Sequence, residues 1–390
     1  MFKIQTLNKI SSKGLSVFPL DQYEYASEIG HPDAILVRSQ KMHDLELPDT
    51  IKAIARAGAG VNNIPIEKCS EKGIIVFNTP GANANAVKEL TIMSLFLSSR
   101  KVIPGILWAK SLIGKGAEVP KLIESGKSEF EGPEIKGKKL GIIGLGAIGV
   151  MVANDALSMG MEVTGYDPFI SIDAAWGLSS AIKKASSFDS LISESDFISL
   201  HIPLNDKTKE SINKDKFSLM KKGVRILNFS RGELVNTKDI KEALTNGTVS
   251  IYVTDFPDEE MLKLDNVIAI PHLGASTPES EENCAFMAVS QLMEFLEKGN
   301  IKNSVNFPDC EMPLAGKTRL IIANKNVPNI IGQITHILAE EKLNIADMIN
   351  KSKGDYAYNI FDLDLVGKKL DDGIINKLKT IPGIIMVRII

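Results

Sequence analysis

Short apolar runs recur along the first three quarters of the chain, and each is followed by glycine or polar residues. Longer segments with helical spacing separate the runs. Buried strands that alternate with helices are typical of α/β folds with parallel sheets. Two doubly wound parallel-sheet domains are therefore predicted from the runs at 34–37, 54–57, 74–77, 140–143, 162–166, 197–201, 224–228, 251–254 and 267–270.

The last quarter of the chain has a different pattern. Residues 306–316 contain Pro308 and Pro313 and show no periodicity, which predicts a linker. Residues 356–365 alternate apolar and polar positions, as a half-exposed strand does. The predicted elements of 317–390 follow the order βαββαβ, which indicates a ferredoxin-like unit with an antiparallel sheet and its own core.

A chain of 390 residues suits two or three domains. The predicted helix at 279–298 runs back toward the N-terminal domain and makes that domain discontinuous. We therefore predict a first domain at 1–97 plus 285–305, a second at 98–284, the linker at 306–316 and a third domain at 317–390.

The strongest motif consists of Gly144, Gly146 and Gly149, spaced G-x-G-x-x-G between an apolar strand and a helix-forming stretch. In such a turn the glycines allow a tight bend, close approach of a pyrophosphate, and close packing of helix on strand. The amides and dipole of the helix N-terminus favour the diphosphate. Asp167 ends the next strand, where an acid binds the adenosine ribose and repels a 2′-phosphate, so NAD is favoured over NADP. A flavin dinucleotide fits the same motif, and an ordinary glycine-rich turn is the structural alternative.

Composition narrows the classes of partner. The formal net charge is −3 with 24% charged residues, which gives no basic excess for nucleic acid. No apolar run approaches the roughly 18 residues of a membrane span, and the N-terminus has no signal-peptide pattern. Three scattered cysteines without a C-x-x-C pair support neither a disulfide framework nor a zinc site, and no metal is predicted. These features predict a soluble, cytoplasmic protein.

Residues suited to hydride-transfer chemistry follow successive predicted strands. They are Arg231, an acidic stretch at 255–260, and His272. A histidine beside a carboxylate exchanges a proton with a substrate oxygen, and an arginine binds a carboxylate through its planar donors. A lone histidine is more often a satisfied polar group, but three suitable residues at successive strand ends weaken that interpretation. His201 is a second candidate, which suits the adenine side of a cofactor equally well.

Strand ends of the first domain carry a second set of candidates. Arg38, the glycines at 58 and 60, and Thr79 follow three of its runs. Carboxyl ends of parallel strands share one edge of the sheet, where ligands bind. The backbone around Ala59 suits a small anion, although a plain turn explains the glycines equally well.

At these motifs the sequence resembles the D-isomer-specific 2-hydroxyacid dehydrogenases, over nearly the whole chain. The matching motifs are Arg-Ala-Gly-Ala-Gly-Val-Asn-Asn at 56–63, Asn-Thr-Pro-Gly at 78–81, the glycine turn, His-Ile-Pro-Leu at 201–204, Asn-Phe-Ser-Arg-Gly at 228–232 and Pro-His-Leu-Gly-Ala-Ser-Thr at 271–277. The resemblance implies a flavodoxin-like substrate domain followed by a Rossmann domain that binds NAD. It also implies oxidation of a small-molecule substrate, D-3-phosphoglycerate, to 3-phosphohydroxypyruvate, the first step of L-serine biosynthesis.

The resemblance also implies catalytic roles. Arg231 becomes the binder of the substrate carboxylate, and His272 the general acid/base, paired with Glu259. Glu260 is the competing partner, because the family's Asp-Val-Phe is altered here to Thr254-Asp255-Phe256. The same alteration leaves open whether residue 254 or residue 255 faces the nicotinamide.

Further contacts carry over from the resemblance. The implied cofactor-binding residues are Thr79, Gly144, Gly146, Ala147, Ile148, Gly149, Asp167, Ile202, Phe229, Ser230, Arg231, Asp255, His272, Gly274 and Ala275. The implied substrate-binding residues are Arg38, Ser39, Ala59, Gly60 and Lys110. Gln40 stands where some members have a second arginine for the substrate phosphate, and Lys41 or Lys110 is expected to compensate.

The C-terminal unit resembles an ACT domain, a module that senses small molecules. Asn324, Asn326 and Asn344 match the positions that bind an L-serine effector. Asn324 stands where many serine-inhibited members have histidine, and Asn329 where most have glycine. An amphipathic arm around Trp108 and the exposed edge of the ACT-like sheet predict self-association as a homodimer or homotetramer.

Two other functions fit parts of the same pattern. A glyoxylate or hydroxypyruvate reductase shares the catalytic motifs, but it needs no amino-acid sensor at the C-terminus. A non-catalytic protein that senses NAD(H) shares the fold, but it does not require the histidine, arginine and acid together.

Overall fold

The computed structural model describes residues 1–314, 318–365 and 370–390. The chain divides into two compact units. The first unit comprises Met1–Asn83 and Pro278–Ile390, and the second comprises Ala84–Thr277. The predicted boundary between the linker and the C-terminal unit, at 316 and 317, lies outside the described residues.

The first unit begins with a five-stranded sheet whose neighbouring strands are all parallel. Its strands have the order β2-β1-β3-β4-β5, the flavodoxin-like order that the sequence predicts. Its central strands are apolar and buried, as strands covered on both faces must be. The elements are β1 (Phe2–Leu7), α1 (Ser12–Leu15), β2 (Tyr23–Ala26), β3 (Ala34–Val37), β4 (Ala53–Arg56), α2 (Ile66–Glu71) and β5 (Ile75–Phe77).

The second unit begins with helices and then forms a seven-stranded parallel sheet. Its helices before the sheet are α3 (Ala84–Ser99), α4 (Val102–Ser111) and α5 (Val119–Gly126). The sheet region contains β6 (Lys139–Ile143), α6 (Ala147–Ser158), β7 (Glu162–Tyr166), α7 (Ile172–Gly177), β8 (Lys183–Lys184), α8 (Phe188–Glu194), β9 (Phe197–Leu200), α9 (Lys214–Leu219), β10 (Val224–Asn228), α10 (Thr237–Thr245), β11 (Val249–Thr254) and β12 (Val267–Ala269).

The strand order of this sheet determines where a ligand binds. The order is β12-β11-β10-β9-β6-β7-β8, so the chain reverses its direction of progress between β6 and β9. In doubly wound sheets the crevice at such a reversal, at the carboxyl ends of the strands, holds a dinucleotide. The structure thus confirms the predicted Rossmann order and places the glycine turn after β6.

The first unit resumes with α11 (Pro278–Lys298) and ends in a four-stranded antiparallel sheet. The strand order β14-β15-β13-β16 is that of a ferredoxin-like fold, as predicted. The elements are β13 (Thr318–Lys325), α12 (Ile330–Glu340), β14 (Asn344–Lys353), β15 (Tyr356–Asp364), α13 (Asp372–Lys379) and β16 (Ile384–Ile389).

Both faces of this C-terminal sheet are covered along β13 and β15, whereas the edge strand β14 is mostly exposed. On one face Leu320, Ile322 and Phe361 pack with residues of α12 and α13. On the other face Ile321 and Tyr358 belong to the core that also contains α11 and the five-stranded sheet. The C-terminal sheet is therefore part of the first unit's main core.

Polar side chains of the C-terminal sheet also complete the end of α11. Arg319 is fully buried, pairs with Asp362 at 2.7 Å and donates to the carbonyl of Lys298 at 2.8 Å. Tyr358 donates its hydroxyl to the Gly299 carbonyl at 2.8 Å, and Arg388 donates to the carbonyls of Phe295 and Leu296. The last carbonyls of a helix lack partners within the helix, so these donors satisfy them in the buried interior.

Among the described residues, no single helix is both long and apolar enough to cross a membrane. Taken together, α3 and α4 are long and apolar enough to do so, but a bend of 66° separates the two helices.

Candidate active site

The glycine turn after β6 has the geometry that a dinucleotide requires. Gly144 has φ +93°, a conformation in which a side chain is strained, and an added Cβ would lie 2.5 Å from the carbonyl oxygen of His201. A Cβ on Gly149 would lie 2.0 Å from the Gly144 carbonyl oxygen, so only glycine allows this contact of helix and strand. A Cβ on Gly146 would have no neighbour within 4 Å, so the backbone there is open to a ligand. The turn therefore fits the pyrophosphate of NAD at the start of α6.

Asp167 fixes this turn and its own loop. One carboxylate oxygen accepts the amide of Leu145 at 2.8 Å, and the other accepts the amide of Phe169 at 2.8 Å. The side chain is partly exposed at the end of β7. A carboxylate held in this way beside the glycine turn suits a ribose hydroxyl and disfavours a 2′-phosphate.

His201 forms part of the wall behind the turn. Its Nε2 lies 2.8 Å from the hydroxyl of Ser199, and its Nδ1 is buried without a hydrogen-bond partner among the described residues. Burial lowers the pKa of His201 to about 4, so the imidazole is neutral at physiological pH. These surroundings favour a structural place on the cofactor side over a role in proton transfer.

The loop after β10 presents Arg231. The buried amide of Asn228 donates to the Arg231 carbonyl at 2.9 Å, and its oxygen accepts the Ser230 amide at 3.2 Å. The hydroxyl of Ser230 in turn donates to the carbonyl of Leu200 at 2.8 Å. Arg231 is exposed, and its guanidinium donates to the Ser230 carbonyl at 2.6 Å. The loop is thus fixed from inside while the guanidinium stays accessible to an anion.

The loop after β11 packs between the Arg231 loop and His272. The ring of Phe256 meets the His272 imidazole nearly edge to face, with 4.9 Å between centroids and an angle of 64°. A Cβ on Gly232, next to Arg231, would lie 3.1 Å from the Cβ of Phe256. Phe256 therefore contacts His272 and adjoins Gly232, the residue after Arg231.

His272 itself is exposed on a turn after β12. Its φ of +55° is left-handed, a strained conformation for a residue with a side chain. Asp255, at the end of β11, accepts the amides of Leu273 and Gly274, each at 2.8 Å. Asp255 is only 2% exposed, so its side chain is almost entirely enclosed. Thr254 is fully buried, and its hydroxyl accepts the Phe256 amide at 3.1 Å.

The acid expected to pair with His272 lies elsewhere in this structure. The Glu259 side chain is 89% exposed, and its nearest cation is Lys263 at 3.9 Å. Glu260 pairs with the same lysine at 2.6 Å. Among the described residues, neither glutamate forms an ion pair or hydrogen bond with His272. The pairing of His272 with Glu259 therefore stays a prediction.

The first unit carries its candidates at the carboxyl ends of β3, β4 and β5. Arg38 pairs with Glu281 at 2.7 Å, and the Thr79 amide donates to the Gly58 carbonyl at 3.2 Å. Arg56 donates to the carbonyls of Arg38 and Gly60 and so ties these two loops together. This role of Arg56 was not predicted from the sequence, although the residue stands first in one of the motifs. The substrate-binding roles of Arg38, Ser39, Ala59, Gly60 and Lys110 stay predictions.

The three asparagines predicted to bind an effector do not meet within one chain. Asn326 donates to the Gly354 carbonyl at the hairpin beyond β14, whereas Asn344 at the start of β14 donates to Asp364. These positions lie at opposite ends of a ten-residue strand, about 30 Å apart. Asn324 is buried and accepts the side-chain amide of Asn359.

The structure shows no candidate metal centre in the part of the chain that it describes, because no three His, Cys, Asp or Glu side chains come together there.

The remaining predicted cofactor contacts follow strand ends or begin α6. Ala147 and Ile148 lie in its first turn, and Ile202, Phe229 and Ala275 are half-buried or buried. Their contacts with a cofactor stay predictions.

Comparison with known proteins identifies the family. Residues 110–274 match the family model of the D-isomer specific 2-hydroxyacid dehydrogenase, NAD binding domain. D-3-phosphoglycerate dehydrogenase of Methanocaldococcus jannaschii is 36% identical over 325 residues, which cover 81% of this chain and 60% of that protein. The enzyme of the same name from Haemophilus influenzae is 31% identical over 386 residues, 95% of this chain and 90% of that protein.

A solved structure agrees with these relatives. The NAD⁺-bound 3-phosphoglycerate dehydrogenase of Entamoeba histolytica superposes with a TM-score of 0.58 and 27% identity, covering 78% of this chain and 98% of that one. The chain spans less than two thirds of the length of the M. jannaschii relative. Together with the glycine turn and the loops that carry Arg231 and His272, these similarities show that the chain belongs to the D-isomer-specific 2-hydroxyacid dehydrogenases and carries their NAD-binding domain.

Proposed function

We propose that this protein oxidises D-3-phosphoglycerate to 3-phosphohydroxypyruvate with NAD, the first step of L-serine biosynthesis. The observation that carries the proposal is the pair of accessible side chains, Arg231 and His272, on two loops that both adjoin Phe256 in an NAD-binding domain. Relatives named D-3-phosphoglycerate dehydrogenase, over 81% and 95% of the chain, support the choice of substrate.

The proposed chemistry divides between two side chains and the cofactor. His272 accepts the proton of the substrate hydroxyl while hydride leaves the carbon that bears this hydroxyl, so that a carbonyl forms. Arg231 binds the substrate carboxylate through its planar donors. Bound NAD supplies the hydride acceptor. Glu259 stabilises the imidazolium in this proposal, and it has to move from Lys263 toward His272 to do so.

The experiment that tests the function measures NADH formation at alkaline pH, where proton release favours oxidation. The substrates are D-3-phosphoglycerate, D-glycerate and D-lactate at equal concentrations. We expect turnover of the phosphorylated acid alone. Turnover of only the unphosphorylated acids would assign the protein to the reductases of the family, and NADH binding without any turnover would indicate a sensor.

The same assay with L-serine tests the proposed effector site. Asn344 lies at the start of β14, and Asn326 contacts the hairpin after the other end of this strand, so a site that uses both needs two copies of the chain. Serine should therefore inhibit turnover in the assembled protein, and Asn344→Ala should abolish that inhibition. An unchanged rate at millimolar serine would contradict the proposal of a serine effector.

We also propose that the protein is at least a homodimer and that α4 lies in the interface. None of the residues of α4 is buried, although the helix is apolar. Ile106 and Leu107 are 51% and 64% exposed. Exposed apolar surface on this scale is typical of protein interfaces. Ile106→Glu should yield monomers in light scattering, whereas Ile172→Glu, at another exposed apolar residue, should not.

The proposed location is the cytoplasm. All three cysteines are buried and free, and burial raises the pKa of the Cys69 thiol to about 11 and of Cys310 to about 12. Thiols kept in the protonated form react slowly with oxidants. Free thiols without disulfides suit a reducing compartment.

A further inference from the structure

Asp255 is a buried acidic residue at the carboxyl end of β11. The residue is 2% exposed, and among the described residues no lysine, arginine or histidine forms an ion pair with it. Its partners are two backbone amides, those of Leu273 and Gly274, one on each oxygen at 2.8 Å. Burial of a carboxylate costs free energy unless the group is hydrogen-bonded. We therefore expect Asp255 to have a structural or functional role.

The two amides belong to the turn that carries His272. The left-handed φ of +55° at His272 costs free energy, and such a conformation persists only when its surroundings hold it. The amide of Asp255 is itself held by the carbonyl of Asn228 at 3.1 Å, so the carboxylate starts from a fixed backbone. The next residue, Phe256, packs on the imidazole.

We propose that Asp255 is a positioning residue: through its bonds to the Leu273 and Gly274 amides it holds the His272 turn in the left-handed conformation that presents the imidazole. The expected loss of kcat rests on the proposed function. The expected effect on the conformation of the His272 turn does not. The contact between Asp255 and the nicotinamide that the resemblance implies stays a prediction, and the two roles differ in their expected effect on NADH affinity.

The first test is Asp255→Asn. An amide offers one acceptor and turns an N–H group toward the second backbone amide, so one bond is lost and a repulsion is added. We expect kcat to fall roughly 10- to 100-fold, the scale of a catalytic group displaced by about 1 Å, while KM values and NADH affinity stay within about twofold. A tenfold weaker NADH affinity would overturn the inference in favour of a cofactor contact.

Asp239→Asn is the matched control. Asp239, in α10, also accepts a backbone amide from another element of the same unit, that of Lys214 at the start of α9, at 2.8 Å. Its loss should leave kcat unchanged. Equal falls in both variants would show a general loss of structure and would contradict the inference.

Gly274→Ala tests the same contact from the other side and keeps the carboxylate. The added Cβ would lie 2.9 Å from the Asp255 oxygen and push the two groups apart. We expect the same loss of kcat with unchanged NADH affinity. Normal activity in Gly274→Ala together with a folded, inactive Asp255→Asn would show that the carboxylate acts by some other route.

Hydrogen exchange separates failure of this inference from failure of the proposed function. In the unliganded protein, the amides of Leu273 and Gly274 should exchange slowly, and Asp255→Asn should speed their exchange at least tenfold without affecting β6 or β10. This result does not depend on the substrate. Fast exchange at both amides in the unmodified chain would overturn the inference even if the enzyme oxidises D-3-phosphoglycerate.

Discussion

At the scale of single residues, His201 and His272 show how surroundings decide the role of a histidine. His201 is enclosed behind the glycine turn with one hydroxyl partner, whereas His272 is exposed on a strained turn against Phe256. One ring nitrogen of His201 is buried and the other is engaged by the Ser199 hydroxyl, whereas the His272 side chain is exposed. The proposed proton transfer is therefore assigned to His272.

His272→Ala should therefore remove most of the turnover. A general acid/base contributes about 10²- to 10⁴-fold, so kcat should fall on that scale. NADH affinity, measured by fluorescence quenching, should stay within about twofold because the glycine turn is untouched. His336→Ala, which removes another exposed histidine in α12, should leave kcat unchanged. A parallel loss of NADH affinity in His272→Ala would count against proton transfer as its role.

His201 predicts a specific acid sensitivity. Its folded-state pKa of about 4 lies below that of an unfolded histidine, near 6.5. Between these values the unfolded chain binds more protons, so stability is present above pH 6.5 and is lost as the pH falls toward 4. At pH 5 the loss from this residue is about 2 kcal/mol. Urea unfolding should show it in the wild type and in His43→Gln, but His201→Gln should lack it.

The local part of the site was predictable from the sequence, and the non-local part was not. The spacing of Gly144, Gly146 and Gly149 predicts the turn because the steric reasons act within a few residues. The bonds from Asp255 to the Leu273 and Gly274 amides join loops 18 and 19 positions apart, and they depend on where a side chain points. No periodicity in the sequence encodes such a contact.

At the scale of elements, α11 has a helix end that another sheet completes. Arg319 reaches the Lys298 carbonyl, Tyr358 reaches Gly299, and Arg388 reaches Phe295 and Leu296. The strand order of the C-terminal unit was predictable from its alternation of elements. The sequence of β13 also indicates that the C-terminal sheet is covered on both faces. Its consecutive apolar residues Leu320, Ile321 and Ile322 are typical of a strand buried on both sides.

Arg319→Met should destabilise the protein strongly. It leaves the Asp362 carboxylate buried without its partner, which costs about 3–5 kcal/mol. Removing the carboxylate as well, in Arg319→Met with Asp362→Leu, should recover much of that loss. Lys298→Ala, which breaks the solvent-exposed pair with Glu294, should change the free energy of unfolding only slightly. A small effect of Arg319→Met in urea unfolding would contradict a structural role for the buried pair.

At the scale of the whole molecule, the first unit is built around α11. The five-stranded sheet and the C-terminal sheet both contribute to the core that contains this helix. Leu292 and Phe295 of this helix share one core with Ile4 of the five-stranded sheet and with Ile321 and Tyr358 of the C-terminal sheet. Removal of either sheet would expose apolar residues of this shared core. The C-terminal unit therefore contributes to the stability of the N-terminal sheet, whatever ligand it binds.

A chain that ends at Leu314 should consequently fail to form a stable first unit. It lacks the strands that cover α11 and the arginines that complete its end, so buried residues such as Phe295 become exposed. We expect aggregation or dye binding to apolar surface, and loss of slow hydrogen exchange in β1, β3 and β4. In the intact chain, the slowest amides of β4 and β13 should share one opening free energy, because they unfold together. A soluble truncated chain that retains slow exchange in β4 would show that the C-terminal sheet is an independent module, despite the core that it shares with α11.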